Sequence, residues 1–355
     1  MLGVDEDALL GFVPPRRAQR RTVRPSPDVA TARESEAADV DRKQFLTSVL
    51  GVSVGALAAR PLTDAADLTH AVSAPTEHYR RLESAVRTEQ LAHTVEAHRD
   101  LAMQVVAAHD SAAGYAALAE VAGLAAWLAA DRQDTCTARQ RYREAIEHSQ
   151  HAGHELLTVY MRGSLGQFAI DTGDTEQGIV LLHRAEQQLP KGAPDASRAW
   201  LSSLLAQGHA DRGDGVQARG SLRHAERWTA RDGADVAWPW LFPFGTAKAA
   251  RYQAETFAKL GDSSAVGEAY AAAGPALTAP KPRALAQLSQ ARVQAGAGCV
   301  GEGCELAVQA LRTGRAYGSE RILARVRDFR ATVPARSVET AELDDALVKL
   351  YEEGV

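Results

Sequence analysis

Residues 173–187 read GDTEQGIVLLHRAEQ, a Gly-Asp pair followed by a segment with helical spacing of small and apolar residues. The arrangement returns at 213–227 as GDGVQARGSLRHAER and at 261–274 as GDSSAVGEAYAAAG. Five, nine and twelve positions after each glycine stand Gly178, Leu182 and Ala185; Ala218, Leu222 and Ala225; and Val266, Tyr270 and Ala273. An earlier unit supplies Ala138, Tyr142 and Ala145 in the same offsets, and a later one supplies Gly303, Ala307 and Ala310. Offsets of four and three put the members of each trio on one helical face. The small ones let a neighbouring helix approach closely, and the larger middle one fills the space between.

Before each Gly-Asp turn lies another helical segment, such as TVYMRGSLGQFAIDT with Leu165, Gly166 and Ala169. This paired-helix, small-large-small rhythm resembles the tetratricopeptide repeat, whose usual period is 34 residues. The spacings of 40, 40, 48 and 37 residues make these longer, degenerate units. One helix pair cannot bury its apolar face alone, so several must stack. The expectation is an all-α, tetratricopeptide-like right-handed α-solenoid of about five helix pairs over 76–317, with capping helices over 318–355. There, Ser319-Glu320 and Ser337 are helix-start signals, and Ile322, Val326 and Phe329 share a face.

Composition agrees with that class. About a fifth of the chain is Ala, only four residues are Ile, and 24% are charged, so helix formers dominate in a globular balance. A net charge of −5 argues against a broad basic surface for nucleic acid. The one basic stretch, PRRAQRRTVRP with Arg16, Arg17, Arg20, Arg21 and Arg24, reads as a solvated linker within 1–40. Cys136, Cys299 and Cys304 are too few and too scattered for a disulfide framework, which suits a reducing compartment.

Residues 41–60 form an apolar linker helix in this reading, followed by a linker over 61–75. The run Phe45–Ala59 is short of the roughly 20 apolar residues a spanning helix needs, so no stable membrane insertion is expected. Arg42-Lys43-Gln44-Phe45-Leu46 has a twin-arginine-like look. It departs from that signal at its second basic residue and sits behind 40 others, which favours a cytoplasmic linker over an export signal.

No catalytic residue and no cofactor is expected. Gly296, Gly298 and Gly301 make a formal G-x-G-x-x-G, but a helical segment precedes them where dinucleotide binding needs a strand. An inter-helix turn is the reading there. His148, His151 and His154 could converge on a metal only if a helix ran through Ala152-Gly153, which instead ends it, so no metal site is assigned. WPWLFPF concentrates Trp238, Trp240, Phe242 and Phe244 in the widest gap between repeats. Its two prolines forbid a continuous helix, so this aromatic cluster plugs the gap or forms a ligand-facing wall.

Three segments together carry a further resemblance: AGLAAWLAADRQDTCTARQRYREAIEHSQHAG, WLFPFGTAKAARYQAETFAKLGD and SERILARVRDFRATV. In this order, with DVDRKQFLTSVLGVSVGAL ahead of them, they resemble the Cro-like (Xre-type) helix-turn-helix transcriptional regulators of high-GC bacteria that carry a C-terminal tetratricopeptide domain. The opening LGVDEDALLGFVPPRRA is similar to the exit of such a DNA-binding domain but too short to be one. The resemblance implies a non-catalytic regulatory module that meets DNA only through a missing or separate reader, with homodimers expected from paired half-sites.

In tetratricopeptide domains the first helix of each pair lines the groove. Carried onto this chain, those positions are Glu120 and Trp127, Tyr160 and Gln167, Trp200 and Gln207, then Lys248, Arg251 and Glu255, and Arg292. They imply a protein or peptide partner, or a small-molecule effector, with an apolar part and an acidic end. A stand-alone adaptor and an exported repeat protein are the alternatives. Gly245 departs from the family, standing where an acidic helix cap often sits.

Overall fold

A computed structural model of the chain describes residues 65–230, 244–334 and 337–352. All of them lie in one compact unit, Thr63–Val355. The described residues form fourteen α-helices and no strand. They are α1 (Ala65–Leu82), α2 (Thr88–Ala108), α3 (Ala112–Asp131), α4 (Thr135–His151), α5 (Glu155–Asp171), α6 (Thr175–Gln187) and α7 (Asp195–Asp211). After these come α8 (Gly215–Thr229), α9 (Thr246–Leu260), α10 (Ser263–Ala273), α11 (Pro280–Gly296), α12 (Val300–Tyr317), α13 (Glu320–Thr332) and α14 (Ala341–Glu352).

Packing runs from neighbour to neighbour. From α1 to α11 each odd helix lies against the even one that follows, α14 packs on α12, and α3, α5, α7, α9, α11 and α13 touch in succession, which is the arrangement of an α-solenoid. The Gly-Asp pairs set its punctuation. Gly173, Gly213 and Gly261 take positive φ of 89°, 74° and 70°, a conformation that ends one helix at little cost for glycine. The aspartate then opens the next helix: Asp134, Asp214 and Asp262 accept hydrogen bonds from the main-chain N–H of Thr137, Gln217 and Ala265. Asp174 holds the same position without that bond and pairs with Arg139 of the preceding unit instead.

The trios define the seams within pairs. Ala138, Tyr142 and Ala145 are buried, and so are their counterparts in the four later units. At the α5–α6 seam the backbones nearly touch: a Cβ on Gly178 would stand 2.8 Å from the Gly166 carbonyl oxygen. A large apolar core runs through α5, α6 and α7, with Leu157, Met161, Leu182, Leu201 and Leu204 at its centre. α3 is long and apolar enough to cross a membrane, but most of it is buried against its neighbours.

The start differs from expectation. The supposed linker over 61–75 is helical from Ala65, and α1 continues through Pro75. α1 and α2 therefore add a helix pair before the five units read from the repeats, and they bury Val72, Leu91 and Val95 against α3. At the other end α13 and α14 cover the last unit with Ile322, Phe329, Leu343 and Leu350. Residues 1–40, the 41–60 segment and the aromatics Trp238, Trp240 and Phe242 lie outside the described residues.

Candidate functional site

The inner faces of the odd helices enclose a cavity of about 240 Å³. α3, α5, α7 and α9 supply an aromatic wall of Trp127, Tyr160, Trp200 and Tyr252. Tyr160 and Trp200 lie with ring centroids 5.3 Å apart, and the Arg80 guanidinium stands 5.8 Å from the Tyr160 centroid. Trp200 is only 2% exposed, because Gly163 leaves space for its indole: a Cβ there would come within 2.6 Å of the Trp200 ring. Tyr252 hydrogen-bonds with Trp200, and burial raises its phenol pKa. Phe244, the described member of the expected aromatic cluster, is buried behind Tyr252 with centroids 5.7 Å apart. It braces the wall from outside.

Charge is the cavity's second property. Eight cations line it: Arg80, Lys248, Arg251, Lys259, Lys281, Arg292, Arg321 and Arg325. Against them stand three lining carboxylates, Glu83, Asp171 and Glu255. Arg251 pairs with Glu255 at 3.2 Å, and Gln207 also donates to that carboxylate. Arg325 pairs with Asp171 at 2.8 Å, and Lys259 with Asp211 at 2.6 Å. Burial lowers the Arg292 pKa and the nearby Arg325 charge lowers it further, with Asp328 and Asp211 opposing.

The cavity is closed where the two ends of the solenoid meet, at Asp131, the last residue of α3. One carboxylate oxygen accepts hydrogen bonds from Thr88 Oγ1 at 2.6 Å and Lys281 Nζ at 3.3 Å; the other accepts from Ser319 Oγ at 2.7 Å. Arg321 Nε stands 3.4 Å from that second oxygen, an ion pair without hydrogen-bond geometry. Asp131 and Lys281 are each 2% exposed. Burial pushes the Asp131 pKa up, but Arg321, Lys281 and the two hydroxyls outweigh it and hold the carboxyl below its ordinary range. Lys281 Nζ also donates to the Glu83 carbonyl and Thr88 Oγ1, and Arg87 to the Ala316 carbonyl. The Arg321 guanidinium covers the Trp127 ring at 4.5 Å, while the indole N–H donates to Glu83. Burial raises the Glu83 pKa.

Nine of the ten groove residues assigned from the repeat register line this cavity: Trp127, Tyr160, Gln167, Trp200, Gln207, Lys248, Arg251, Glu255 and Arg292. Glu120 does not; its main-chain carbonyl accepts from Arg80 at 3.1 Å. Repeat reasoning missed Arg80, Glu83, Asp171, Lys281, Arg321 and Arg325. Five of these lie outside the positions assigned from the repeat register, towards the two ends of the solenoid, and Asp171 is the last residue of α5, beyond the positions assigned there. Lys281, set between two prolines at the start of α11, was the one legible cue.

The other motifs sit elsewhere. Gly298 has positive φ and Cys299 opens α12, so GAGCVG is an inter-helix turn. His148 and His151 close α4 beside Tyr115, with the His151 ring centroid 4.0 Å from it, and His154 caps α5. Among the described residues no cluster of His, Cys, Asp or Glu could hold a metal ion. Cys136 and Cys299 are exposed and Cys304 is buried. Gly245 opens α9 with no side-chain cap. No family model and no curated protein matches the chain.

Proposed function

We propose that this chain is the non-catalytic regulatory module of a cytoplasmic transcription regulator of the Cro-like type, with tetratricopeptide-like repeats that hold an effector in their central cavity. DNA is met through a separate or attached reader, and the module pairs with a second copy when that reader binds two half-sites. The repeat type is supported by the buried small-large-small seams, and the regulator reading by the ordered segments that resemble that family.

The observation that carries the effector is the joining of the solenoid's ends around an aromatic, cationic cavity. A groove meant for a long extended peptide or a folded partner stays open along its length. This one is bridged by Asp131, Lys281, Ser319 and Arg321, and its volume of about 240 Å³, below that of a drug-sized pocket, leaves room only for a small molecule. The charged side chains fix orientation and the rings supply contact area.

The test is genetic. Cells lacking the gene and cells carrying Tyr160→Ala, a change at a partly exposed lining ring, are compared by transcript profile. The regulator reading expects a discrete set of transcripts to change in the deletion and the same set to respond in the variant. An unchanged profile in the deletion contradicts it. The purified chain alone is also expected to show no sequence-selective, salt-resistant DNA binding in a mobility-shift titration.

A further inference from the structure

We propose that Arg292 and Arg325 form an anion seat in the cavity, taking the carboxylate or phosphate group of a small ligand whose apolar part lies against the partly exposed rings of Tyr160 and Trp127. This rests on the reading of the cavity as an effector site.

The two arginines come from packed helices, α11 and α13, and both line the cavity. Arg292 is exposed, yet the protein around it and the Arg325 charge both act to lower its pKa. Arg325 is tied to Asp171. Arg292 makes no hydrogen bond or ion pair among the described residues. The carboxylates nearest it electrostatically are Asp328 and Asp211, and Lys259 occupies Asp211. Each guanidinium disfavours the charge of the other, and of the two only Arg325 has a paired carboxylate, Asp171. An oxyanion between them removes the repulsion and satisfies planar N–H donors whose geometry matches carboxylate and phosphate oxygens. Across the whole lining the cations outnumber the carboxylates, so the seat lies in a field of one sign. α13 also carries Ser319 and Arg321 at its start, so an anion held by Arg325 bears on the helix that closes the cavity.

The test is calorimetric titration of the full chain with phenyl phosphate, with benzoate, and with phenol as a neutral control. Phenyl phosphate or benzoate is expected to bind at least about tenfold more tightly than phenol, the loss that follows from removing a charge-assisted hydrogen bond. Arg292→Gln, which removes no hydrogen bond or ion pair among the described residues, is expected to remove that preference, and Arg292→Lys to restore part of it. Equal binding of phenol and phenyl phosphate overturns the seat, as does an Arg292→Gln affinity equal to wild type, or no binding by either anion. Because this measures binding by the purified chain, the seat and the regulator reading fail separately. Anion binding with an unchanged transcript profile counts against the regulator reading alone. A profile that changes while phenol and phenyl phosphate bind alike counts against the seat alone.

Discussion

Gln133 stands where the later repeats carry glycine, and it is the one non-glycine residue with positive φ among the described residues, at 61°. A Cβ in that conformation costs roughly 1–2 kcal/mol, partly offset by the greater freedom glycine has when unfolded. Gln133→Gly is therefore expected to stabilise by about 0.5 kcal/mol and Gly213→Ala to destabilise by about 1 kcal/mol, read from chemical denaturation. A loss of stability in Gln133→Gly would contradict the account of these turns. At Asp131 the stakes are larger. Asp131→Asn leaves Lys281 and Arg321 without their shared carboxylate, and breaking a buried pair in this way costs about 3–5 kcal/mol. The exposed Asp174→Asn is expected to cost less than about 1 kcal/mol, since its pair with Arg139 is solvated. Similar losses for the two variants would remove the distinction between a buried and a surface carboxylate.

The elements were legible to different degrees. The helices after each Gly-Asp turn could be read because the same residue both ends one helix and positions the cap of the next, so turn chemistry and periodicity agree. α1 was half hidden because Pro75 signals a break, whereas tertiary packing of Val72 keeps the helix going. The inner face followed from the repeat register for Tyr160, Trp200 and Gln207. Register says nothing about two distant ends meeting: Lys281 is 150 residues from Asp131, and no local pattern links them. Gly163 belongs to the same scale. It looks like a weak point in α5, yet it is where the Trp200 ring lies against the helix. Gly163→Ala forces that ring or the α5–α7 spacing to shift, an overpacking cost of about 1–3 kcal/mol. A neutral effect in thermal melting would mean that the indole is not held there.

For the whole molecule, closure ties stability to pH with a definite sign. The folded Asp131 carboxyl titrates below its ordinary value, near about 3.9 when unfolded. Between the two values the unfolded chain holds a proton that the folded chain does not. The stabilisation is therefore complete above the unfolded value and is lost as pH falls through the folded one. Glu83 works in the opposite sense: its raised pKa makes its contribution fade as pH rises through the folded value. Unfolding free energy should fall as pH drops through and below the ordinary carboxylate range, and Asp131→Asn should shrink that loss, leaving the part that Glu96, Asp134, Asp262 and Asp344 contribute. If wild type and variant decline in parallel, Asp131 is not the group that closes the solenoid.

The most direct measurement is amide hydrogen exchange in wild type and Asp131→Asn under native conditions. Closure at Asp131 predicts that the variant exchanges faster at both ends together, over residues 86–91 and 316–322, while the protected centre of α5 and α7 is unchanged. Faster exchange confined to the end of α3, with 316–322 as protected as in wild type, would contradict a cavity closed by the meeting of the solenoid's two ends.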